Sequence, residues 1–423
     1  MNHLNLFNPY RNKLNSHEDE LTRNFLILVK NIPLIQVIFF ELIKNEMKEI
    51  NVDSIIDGDL FVEDIYTQLS SNNSLFSSPL LEGRTLISII ISDDKLEDNV
   101  KVKNDTRQAR YDGVITANPS WLFIIENKPS KENIWTRQLN PNIPEDSDIT
   151  IVEEPCCLSW RAIISKLNVI LQKNMVNGLE YIMIENFIEY VDNEYHWLNP
   201  YTNFDLCKGN IYLLNKRCIA IMESSNLCHK DTTVKYHKGW RHYIESGKNT
   251  IKQISLDANA HQSSWTINLW LYAGDTMNSS KEVYEKLNID GLLKLQEQGF
   301  KVEPNFHISY RSSNLLWFKG NLNLSEYLTY WKKEYKTLKQ IKRSEFGEFF
   351  NKLIESQNML KEEMDTVQEK ILSKNYDKLN ICPGIKITYL WESEEAIKLD
   401  KSKKFEKEFK SKVLMAFDTL GGI

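Results

Sequence analysis

The order of apolar and polar positions predicts helices at the beginning of the chain and strands further on. Apolar residues recur at helical spacing after Ser16, which with Asp19 approximates a capping box. Pro33 interrupts this pattern, so a second helix is expected over 35–47. A polar loop then comes before an apolar run at 86–91, which is typical of a strand.

Two more strands are predicted at 110–116 and 121–125. The second one, within the sequence WLFIIENK, lies between prolines and is apolar at consecutive positions. A run that is apolar on both faces belongs in the middle of a sheet that is covered on each side. The segment 158–191 follows with apolar residues at helical spacing. These patterns predict an α/β domain over residues 1–195.

The C-terminal half has a mixed pattern and is expected to form a second domain of the α+β class. The turn-rich stretch 199–210 is the predicted boundary, and the second domain is assigned to residues 210–423. Strand-like runs occupy 217–222, 266–273, 306–310, 314–318 and 386–391. Helical patterns occupy 324–339, 345–373 and 394–417. Two domains are expected because a chain of 423 residues is too long for one ordinary core.

Composition and charge narrow the class of protein. Lys and Arg number 52 against 58 Asp and Glu, a net charge of −6, so nucleic acid could be held only by locally clustered basic residues. The six cysteines are irregularly spaced, which indicates a reduced, cytoplasmic protein. The N-terminus has no apolar signal core, and the longest apolar region, 25–43, is broken by Lys30 and Pro33. No role at a membrane is expected.

Candidate chemistry lies in the stretch RYDGVITANPSWLFIIENKP. Asp112 stands at the start of one predicted strand, and Glu126 and Lys128 stand at the end of the next. Residues two apart on a strand project to the same side, and a hairpin would bring Asp112 close to them. Two carboxylates can hold Mg²⁺ or Mn²⁺, which activates water and stabilises charge on a phosphoryl oxygen. Since the lysine can orient that water or neutralise the transition state, the pattern predicts metal-dependent hydrolysis of phosphodiesters.

This arrangement resembles the PD-(D/E)XK nuclease superfamily, here as Asp112 followed by Glu126-Asn127-Lys128, over roughly the first half of the chain. Tyr111 stands where the superfamily name has proline. The resemblance implies a restriction-endonuclease-like core, in which helices flank a mixed sheet. It also implies a bacterial DNA endonuclease of restriction or antiphage defence. In that enzyme Asp112 and Glu126 would bind the metal ion and Lys128 would position water.

Two further residues enter through the same resemblance. The segment SHEDELTRNFLILVKNIP looks like the opening helix of bacterial members, which carries an acidic residue facing the metal ion. Glu18 is favoured over Glu20 because, at about 100° per residue, it lies on the side of Leu21 and Phe25. Gln138 matches the glutamine often found on the helix after the E-x-K strand. The resemblance assigns Glu18 an assisting role at the metal ion and Gln138 an orienting role.

Two basic stretches in the C-terminal half are candidates for holding a polyanion. The first contains Lys235, Lys238 and Arg241 beside Trp240, so phosphate contacts and base stacking are both available. The second is a basic face on the predicted helix around Trp331. Ordinary solvated surface is the alternative for both stretches, and it is favoured for the second. The sequence has no glycine-rich phosphate-binding motif, so an ATP-dependent or sensing step would need a protein partner.

Three hypotheses for the function follow from these patterns. The first is an endonuclease that acts on DNA and depends on Mg²⁺ or Mn²⁺. The second is a non-catalytic module that keeps the fold in order to bind nucleic acid or a protein, although the complete Asp-Glu-Lys set argues against it. The third is an RNA-cleaving enzyme, because no feature of the sequence separates RNA from DNA. Cleavage position, trigger and homo-oligomer formation are left open by the sequence.

Overall fold

A computed structural model describes the greater part of the chain, with interruptions. It covers residues 6–7, 17–47, 62–77, 82–94, 96, 100–117, 120–129, 136–144, 147–227, 233–262, 264–311 and 313–421. The chain divides into two compact units between Thr202 and Asn203, inside the turn-rich stretch 199–210. Helices and strands occur in both units, so the protein is of the mixed α/β type.

The first unit begins with two helices and continues with strands. Its helices are α1 (His17–Asn31), α2 (Pro33–Glu46), α3 (Trp160–Gln172) and α4 (Gly178–Glu194). Its strands are β1 (Val62–Ser70), β2 (Thr85–Ile91), β3 (Arg110–Ala117), β4 (Trp121–Asn127), β5 (Thr150–Ile151) and β6 (Cys156–Leu158). Helices α1 and α2 and strands β2 to β4 lie where the sequence pattern predicts them, whereas β1 was not predicted.

The strands of the first unit form one mixed sheet. Their order is β1-β3-β4-β2-β5, and β6 pairs with β2. Strand β4 makes an antiparallel pair with β3 on one side and a parallel pair with β2 on the other. All seven residues of β4 are buried. The central position of β4 explains why its sequence is apolar on both faces.

Apolar side chains cover both faces of β4. On one face Phe40 of helix α2 packs against Phe123, with 5.4 Å between ring centroids. On the other face a smaller cluster contains Leu122 and Ile124. This burial on both sides fixes the register of β4, because a shift by one residue would exchange its two faces. The end of β4 is therefore held in a defined place.

The predicted helical segment 158–191 forms the two helices α3 and α4. The Ser159 hydroxyl begins α3 by accepting the Ala162 N–H at 3.2 Å, and Asn177 begins α4 through a capping box. Between the helices the backbone of Asn174 has a φ of 49°. A residue in this left-handed conformation commonly ends a helix, which accounts for the break.

The second unit is built on an antiparallel sheet with helices between its strands. Its strands are β7 (Lys235–His237), β8 (Arg241–Glu245), β9 (Ile251–Ala260), β10 (Trp265–Ala273), β11 (Lys301–Tyr310), β12 (Ser313–Trp317), β13 (Ile341–Lys342) and β14 (Lys378–Glu392). The sheet has the order β12-β11-β14-β10-β9-β8-β7, with β13 added to β14. Its helices are α5 (Ile211–Ser224), α6 (Met277–Lys286), α7 (Ile289–Glu297), α8 (Leu324–Glu334), α9 (Phe346–Glu355), α10 (Met364–Val367), α11 (Ser393–Lys401) and α12 (Phe405–Asp418).

The strand predicted at 217–222 is wrong, because these residues belong to helix α5. The Asn210 side chain begins the helix by accepting the Tyr212 N–H at 3.0 Å. Buried residues such as Leu214 and Cys218 then recur at helical spacing. A short apolar run does not by itself distinguish a strand from a buried helix. Here the cap just before the run decides for the helix.

Two long helices predicted in the second unit are interrupted. The segment 345–373 begins with α9, and Gln357 then takes a φ of 58°. The segment 394–417 is divided into α11 and α12 near Lys403, whose φ is 57°. Both residues have the left-handed conformation that ends helices. Neither is a glycine, so the sequence carried no strong signal for these breaks.

The apolar helices were also considered as candidates for crossing a membrane. Over the described ranges, no helix alone combines the required length with the required apolar character. The pair Asp19–Asn31 and Pro33–Glu46 reaches that length and composition only together, and it is bent by 114°.

Candidate active site at the end of strand β4

Glu126, Asn127 and Lys128 follow one another at the end of β4. Glu126 and Asn127 are the last two residues of this strand, opposite Ile90 and Ile91 of β2. Lys128 comes next, and its main-chain N–H donates to the Ile91 carbonyl at 3.0 Å. The neighbouring strand therefore fixes the backbone for one residue beyond the end of β4.

Asp112 lies where strand β3 separates from β4. The ladder between the two strands ends at the pair Gly113–Ile125. One residue further, the Asp112 oxygen Oδ2 accepts the main-chain N–H of Asn127 at 2.8 Å. Its other oxygen accepts the Gln68 amide at 3.3 Å. The carboxylate thus takes the place of a main-chain acceptor, and the structure brings Asp112 to the end of β4 as the predicted hairpin requires.

Helix α1 lies close to β3 because Gly113 has no side chain. A Cβ atom on Gly113 would come within 2.6 Å of Leu26 Cδ1. Asp19 precedes Leu26 by seven residues and so lies on nearly the same side of the helix. Its carboxylate is 4.0 Å from the guanidinium group of Arg110 in β3. The close packing of helix and strand therefore brings an acidic side chain to the start of β3.

The pKa of Asp112 depends on burial and on the charges around the carboxylate. Burial raises this pKa above its usual value, and the negative charge of Asp19 raises it further. The hydrogen bond from the Asn127 N–H and the positive charge of Lys128 act in the opposite direction. The charges of Asp19 and Lys128 are therefore near enough to act on the Asp112 carboxylate. A bound cation would relieve the repulsion between Asp112 and Asp19.

Glu126 and Asn127 face opposite sides of the sheet, as the alternation along a strand predicts. The Asn127 side chain accepts the indole N–H of Trp160 at 2.8 Å, within the cluster formed by the helices. Glu126 is 7% exposed. The pKa of Tyr111 is raised by burial above all and also by the charge of Glu126, and Tyr111 belongs to the cluster on the other face. Asn127 therefore anchors the strand, while Glu126 remains on the side away from the helices.

Glu18 and Glu20 were compared from the sequence, and the structure adds a third acid. The side chain of Glu18 lies outside the described residues. The pKa of Tyr190 is raised mainly by burial and also by the charge of Glu20, so Glu20 lies toward Tyr190. The acid that acts on Asp112 is Asp19, which sequence reasoning missed. Its seven-residue spacing from Leu26 places both on one helix face, but only the contact between Leu26 and Gly113 shows that this face meets β3.

Gln138 lies in a single turn of 3-10 helix. The 3-10 segment Thr136–Leu139 contains it, and its side chain is half-buried. The Leu139 carbonyl accepts the Ser88 hydroxyl at 2.8 Å, which attaches this turn to β2. The residues at 130–135 lie outside the described part. The turn is thus fixed next to the strand that pairs with β4.

The basic stretch predicted to hold a polyanion forms the β7–β8 hairpin of the second unit. Lys235 pairs with Glu245 at 2.8 Å, so its charge is partly balanced. Lys238 and Arg241 are exposed. Trp240 is half-buried and borders a cleft. Two exposed cations and one aromatic ring are therefore available to a ligand on this hairpin.

A hard divalent cation fits the side chains at the end of β4. Carboxylate oxygens are the ligands that Mg²⁺ prefers, and Mg²⁺ needs only one or two carboxylates because it keeps several waters. Asp112 and Asp19 supply two such carboxylates, and their like charges favour a bound cation. In the part of the chain that the structure describes, no group of three or more His, Cys, Asp or Glu side chains is arranged to hold a metal ion.

Comparisons of the chain with protein-family models, with curated proteins and with solved structures give no match. The resemblance to the PD-(D/E)XK superfamily, carried by Asp112, Glu126 and Lys128, therefore remains a prediction from the sequence. Function has to be inferred from the side chains themselves and from the positions that the fold gives them.

Proposed function

We propose that the first unit is a metal-dependent nuclease that hydrolyses phosphodiester bonds at the end of β4, with DNA as its substrate. The observation that supports this most is the 2.8 Å hydrogen bond from the Asn127 N–H to the Asp112 carboxylate, because it holds Asp112 beside Glu126 and Lys128 at the end of β4. Two acids and a lysine gather there at the end of a buried central strand. This combination of a hard metal site with a nearby cation suits phosphoryl transfer better than other hydrolytic chemistry.

Each of these side chains has a role in the proposed reaction. Asp112 would hold Mg²⁺ or Mn²⁺ together with one further carboxylate, either Asp19, whose charge acts on Asp112, or Glu126, which the sequence pattern favours. When bound, the metal supplies an activated water and neutralises charge on the phosphoryl group. Lys128 stabilises the negative charge that develops on the phosphoryl oxygens. Hydrolysis adds water to the phosphorus and breaks one P–O bond of the strand, which leaves a phosphate end and a hydroxyl end.

The orientation of Asp112 is set by its neighbours. The Asn127 N–H binds one carboxylate oxygen and the Gln68 amide binds the other. Asn127 is itself anchored by its side-chain hydrogen bond with Trp160. Groups that are held in place before substrate arrives contribute most to catalysis. Asn127 and Gln68 are therefore proposed as positioning residues.

The PD-(D/E)XK resemblance extends the proposal beyond the reaction itself. It supports an enzyme of bacterial restriction or antiphage defence in the cytoplasm, with a protein partner for any ATP-dependent or sensing step. It also supports an assisting role for Glu18 and an orienting role for Gln138. These roles rest on the sequence pattern, whereas the roles of Asp112 and Lys128 rest on geometry as well.

A cleavage assay tests the proposal. The purified protein is incubated with supercoiled plasmid, single-stranded DNA and RNA in Mg²⁺, in Mn²⁺ or in EDTA. We expect cleavage only with metal, and a rate at least about 100-fold lower in Asp112→Asn, because metal-assisted catalysis contributes several kcal/mol. Asp64→Asn is the matched control. Asp64 is an exposed carboxylate on β1 opposite Thr116, four positions along β3 from Asp112.

The other outcomes of this assay distinguish the alternatives. Cleavage of RNA but not of DNA would identify an RNA-cleaving enzyme that uses the same site. Binding of nucleic acid without cleavage under every metal condition would favour a non-catalytic module. Metal-dependent cleavage at the full rate in Asp112→Asn would contradict the placement of the active site.

A further inference from the structure

The second unit contains a large open cleft on its antiparallel sheet. The cleft has a volume of about 1050 Å³, which is enough for a small ligand or a dinucleotide. A smaller recess of about 250 Å³ shares Gly239, Trp240 and Tyr272 with it. The cleft and the recess therefore form one continuous concave surface.

Strand β9 brings buried polar side chains to this surface. Gln253, Ser255 and Asp257 alternate with apolar residues along the strand, so they share one face. They are 9%, 0% and 4% exposed. Within the described ranges, Gln253 Oε1, Ser255 Oγ and Asp257 Oδ2 have no hydrogen-bond partner. Gln253 lines the cleft and Asp257 lines the recess. Buried polar groups in proteins are nearly always satisfied, so a molecule bound in the cleft or the recess could supply the missing partner of Gln253 or Asp257.

Two tryptophan rings border the cleft. Trp240 lies beside His237, with 4.6 Å between ring centroids. Trp317 is 51% exposed and lies 5.7 Å from the ring of His307. Aromatic rings that border a cleft beside polar side chains can stack on a nucleic-acid base. A sugar ring is the other ligand class that fits such a surface.

The charge of the residues that line the cleft favours one of these two ligand classes over the other. Among the described residues that line the cleft, Lys252, Arg311 and Lys386 carry positive charge, and Asp275 carries negative charge. Lys386 is partly balanced by Glu303 at 3.5 Å, yet the lining as a whole stays positive. The whole chain, by contrast, has a net charge of −6. A neutral sugar gains nothing from these cations, whereas a phosphate does.

We propose that this cleft binds a nucleotide, either free or within an unpaired strand. The base stacks on Trp240 or Trp317, and amide side chains such as Gln253 and Asn305 contact its polar edge. The phosphate lies against the cationic lining. This binding uses residues of the second unit alone. It can therefore be tested independently of the hydrolysis proposed for the first unit.

Calorimetric titration of the full chain tests the proposal. EDTA is present, so metal-dependent cleavage cannot consume the probes. The probes are AMP, the dinucleotide ApA and a short oligodeoxyadenylate, and the controls are adenosine, inorganic phosphate and maltotriose. We expect AMP or ApA to bind at least about tenfold more tightly than adenosine or phosphate if the occupant is a free nucleotide. Binding of the oligonucleotide alone would identify an unpaired strand.

Two variants with matched controls locate the binding. Trp317→Ala should weaken the nucleotide probe that binds by about tenfold, because a stacking surface is removed. Lys252→Gln should weaken that probe but not adenosine. Tyr236→Ala and Lys248→Gln remove an exposed ring and an exposed lysine outside the cleft, and should change nothing. The proposal is overturned if no nucleotide probe binds, if maltotriose binds as tightly, or if Trp317→Ala and Lys252→Gln both keep full affinity.

Discussion

The two sheets of this protein hold their polar residues in different ways. In the first unit β4 is apolar on both faces, and its polar chemistry begins only at its end. There Asp112 already has partners in Asn127 and Gln68. In the second unit the polar and apolar residues of β9 alternate. Within the described part of that unit, Gln253 and Asp257 each keep a buried oxygen without a partner.

This difference indicates two kinds of site. Catalysis needs groups that are fixed before the substrate arrives, and at the end of β4 the protein itself fixes the carboxylate. Recognition of a ligand needs polar groups that can still accept a hydrogen bond, and Gln253 and Asp257 at the edge of the cleft and the recess each keep such an oxygen. This difference is the one expected if the first unit carries out the proposed hydrolysis and the second unit the proposed nucleotide binding.

The largest expected effect is on the cleavage rate, and it distinguishes the functions proposed for the two units. Lys128→Ala should lower the cleavage rate at least about 100-fold, because removing one donor to transition-state charge has an effect of that size. It should leave nucleotide binding in EDTA unchanged. Trp317→Ala should weaken nucleotide binding and leave cleavage at saturating DNA unchanged. Rates and affinities of both variants check this, and loss of both functions in either variant would contradict the separation.

A smaller effect is expected from the acids of helix α1. Asp19→Asn should lower the cleavage rate about tenfold or more, equivalent to about 1.4 kcal/mol of transition-state stabilisation, since its charge acts on Asp112. Glu20→Gln is the matched control and should keep the full rate. Glu18→Gln completes the series with melting temperatures as a check on folding. A reduced rate in Glu18→Gln without any reduction in Asp19→Asn would return the role to Glu18.

These acids also show how far the sequence can predict the site. Asp112, Glu126 and Lys128 were found because one local hairpin joins them and the apolar run of β4 is unmistakable. Glu18, Asp19 and Glu20 are consecutive and differ only in the helix face they occupy. Which face meets β3 depends on the contact between Gly113 and Leu26, which are 87 positions apart. Local periodicity does not contain that contact.

The cleft of the second unit could not be predicted from the sequence for a similar reason. The alternation along β9 was a usable signal for a strand with one polar face, and sequence analysis overlooked it. The cleft itself combines Trp240, Gln253, Lys386 and Trp317, which come from separate strands or turns. Their meeting depends on the order of strands in the sheet, which residue patterns alone do not determine.

A pH effect of moderate size is expected in the cleft. Burial raises the pKa of Asp275 to about 6, and Lys252 and His237 act to lower it. Tyr272 and Cys382 also lie within reach of its charge. Asp275 is neutral below this pKa and repels phosphate above it. Affinity for ApA, whose phosphodiester stays ionised, should therefore fall about fivefold between pH 5 and pH 7, as expected for a repulsion of about 1 kcal/mol.

Titrations of Asp275→Asn across the same pH range provide the control. This variant should lose the part of the profile that Asp275 causes. An identical profile in the variant and in the native protein would show that Asp275 does not face the bound phosphate.

The smallest expected effect concerns salt and the β7–β8 hairpin. Replacing Lys238 and Arg241 together by Ala should weaken DNA binding and flatten its salt dependence by about 0.9 in log–log slope for each phosphate that is no longer neutralised. Adding Lys235→Ala should change little more, because Lys235 is paired with Glu245. Cleavage at saturating DNA should survive. A triple variant with the native salt slope would identify the hairpin as plain solvated surface.

The central claim is that Asp112 helps to hold a divalent metal ion at the end of β4, and thermal unfolding in Mg²⁺ tests it most directly. A ligand that binds only the folded state raises the melting temperature, so about 10 mM Mg²⁺ should stabilise the native protein. Asp112→Asn keeps an oxygen for the Asn127 N–H but loses the charge, and it should show no rise. Asp64→Asn should behave like the native protein. An equal rise in all three proteins, or no rise in the native protein, would contradict the claim.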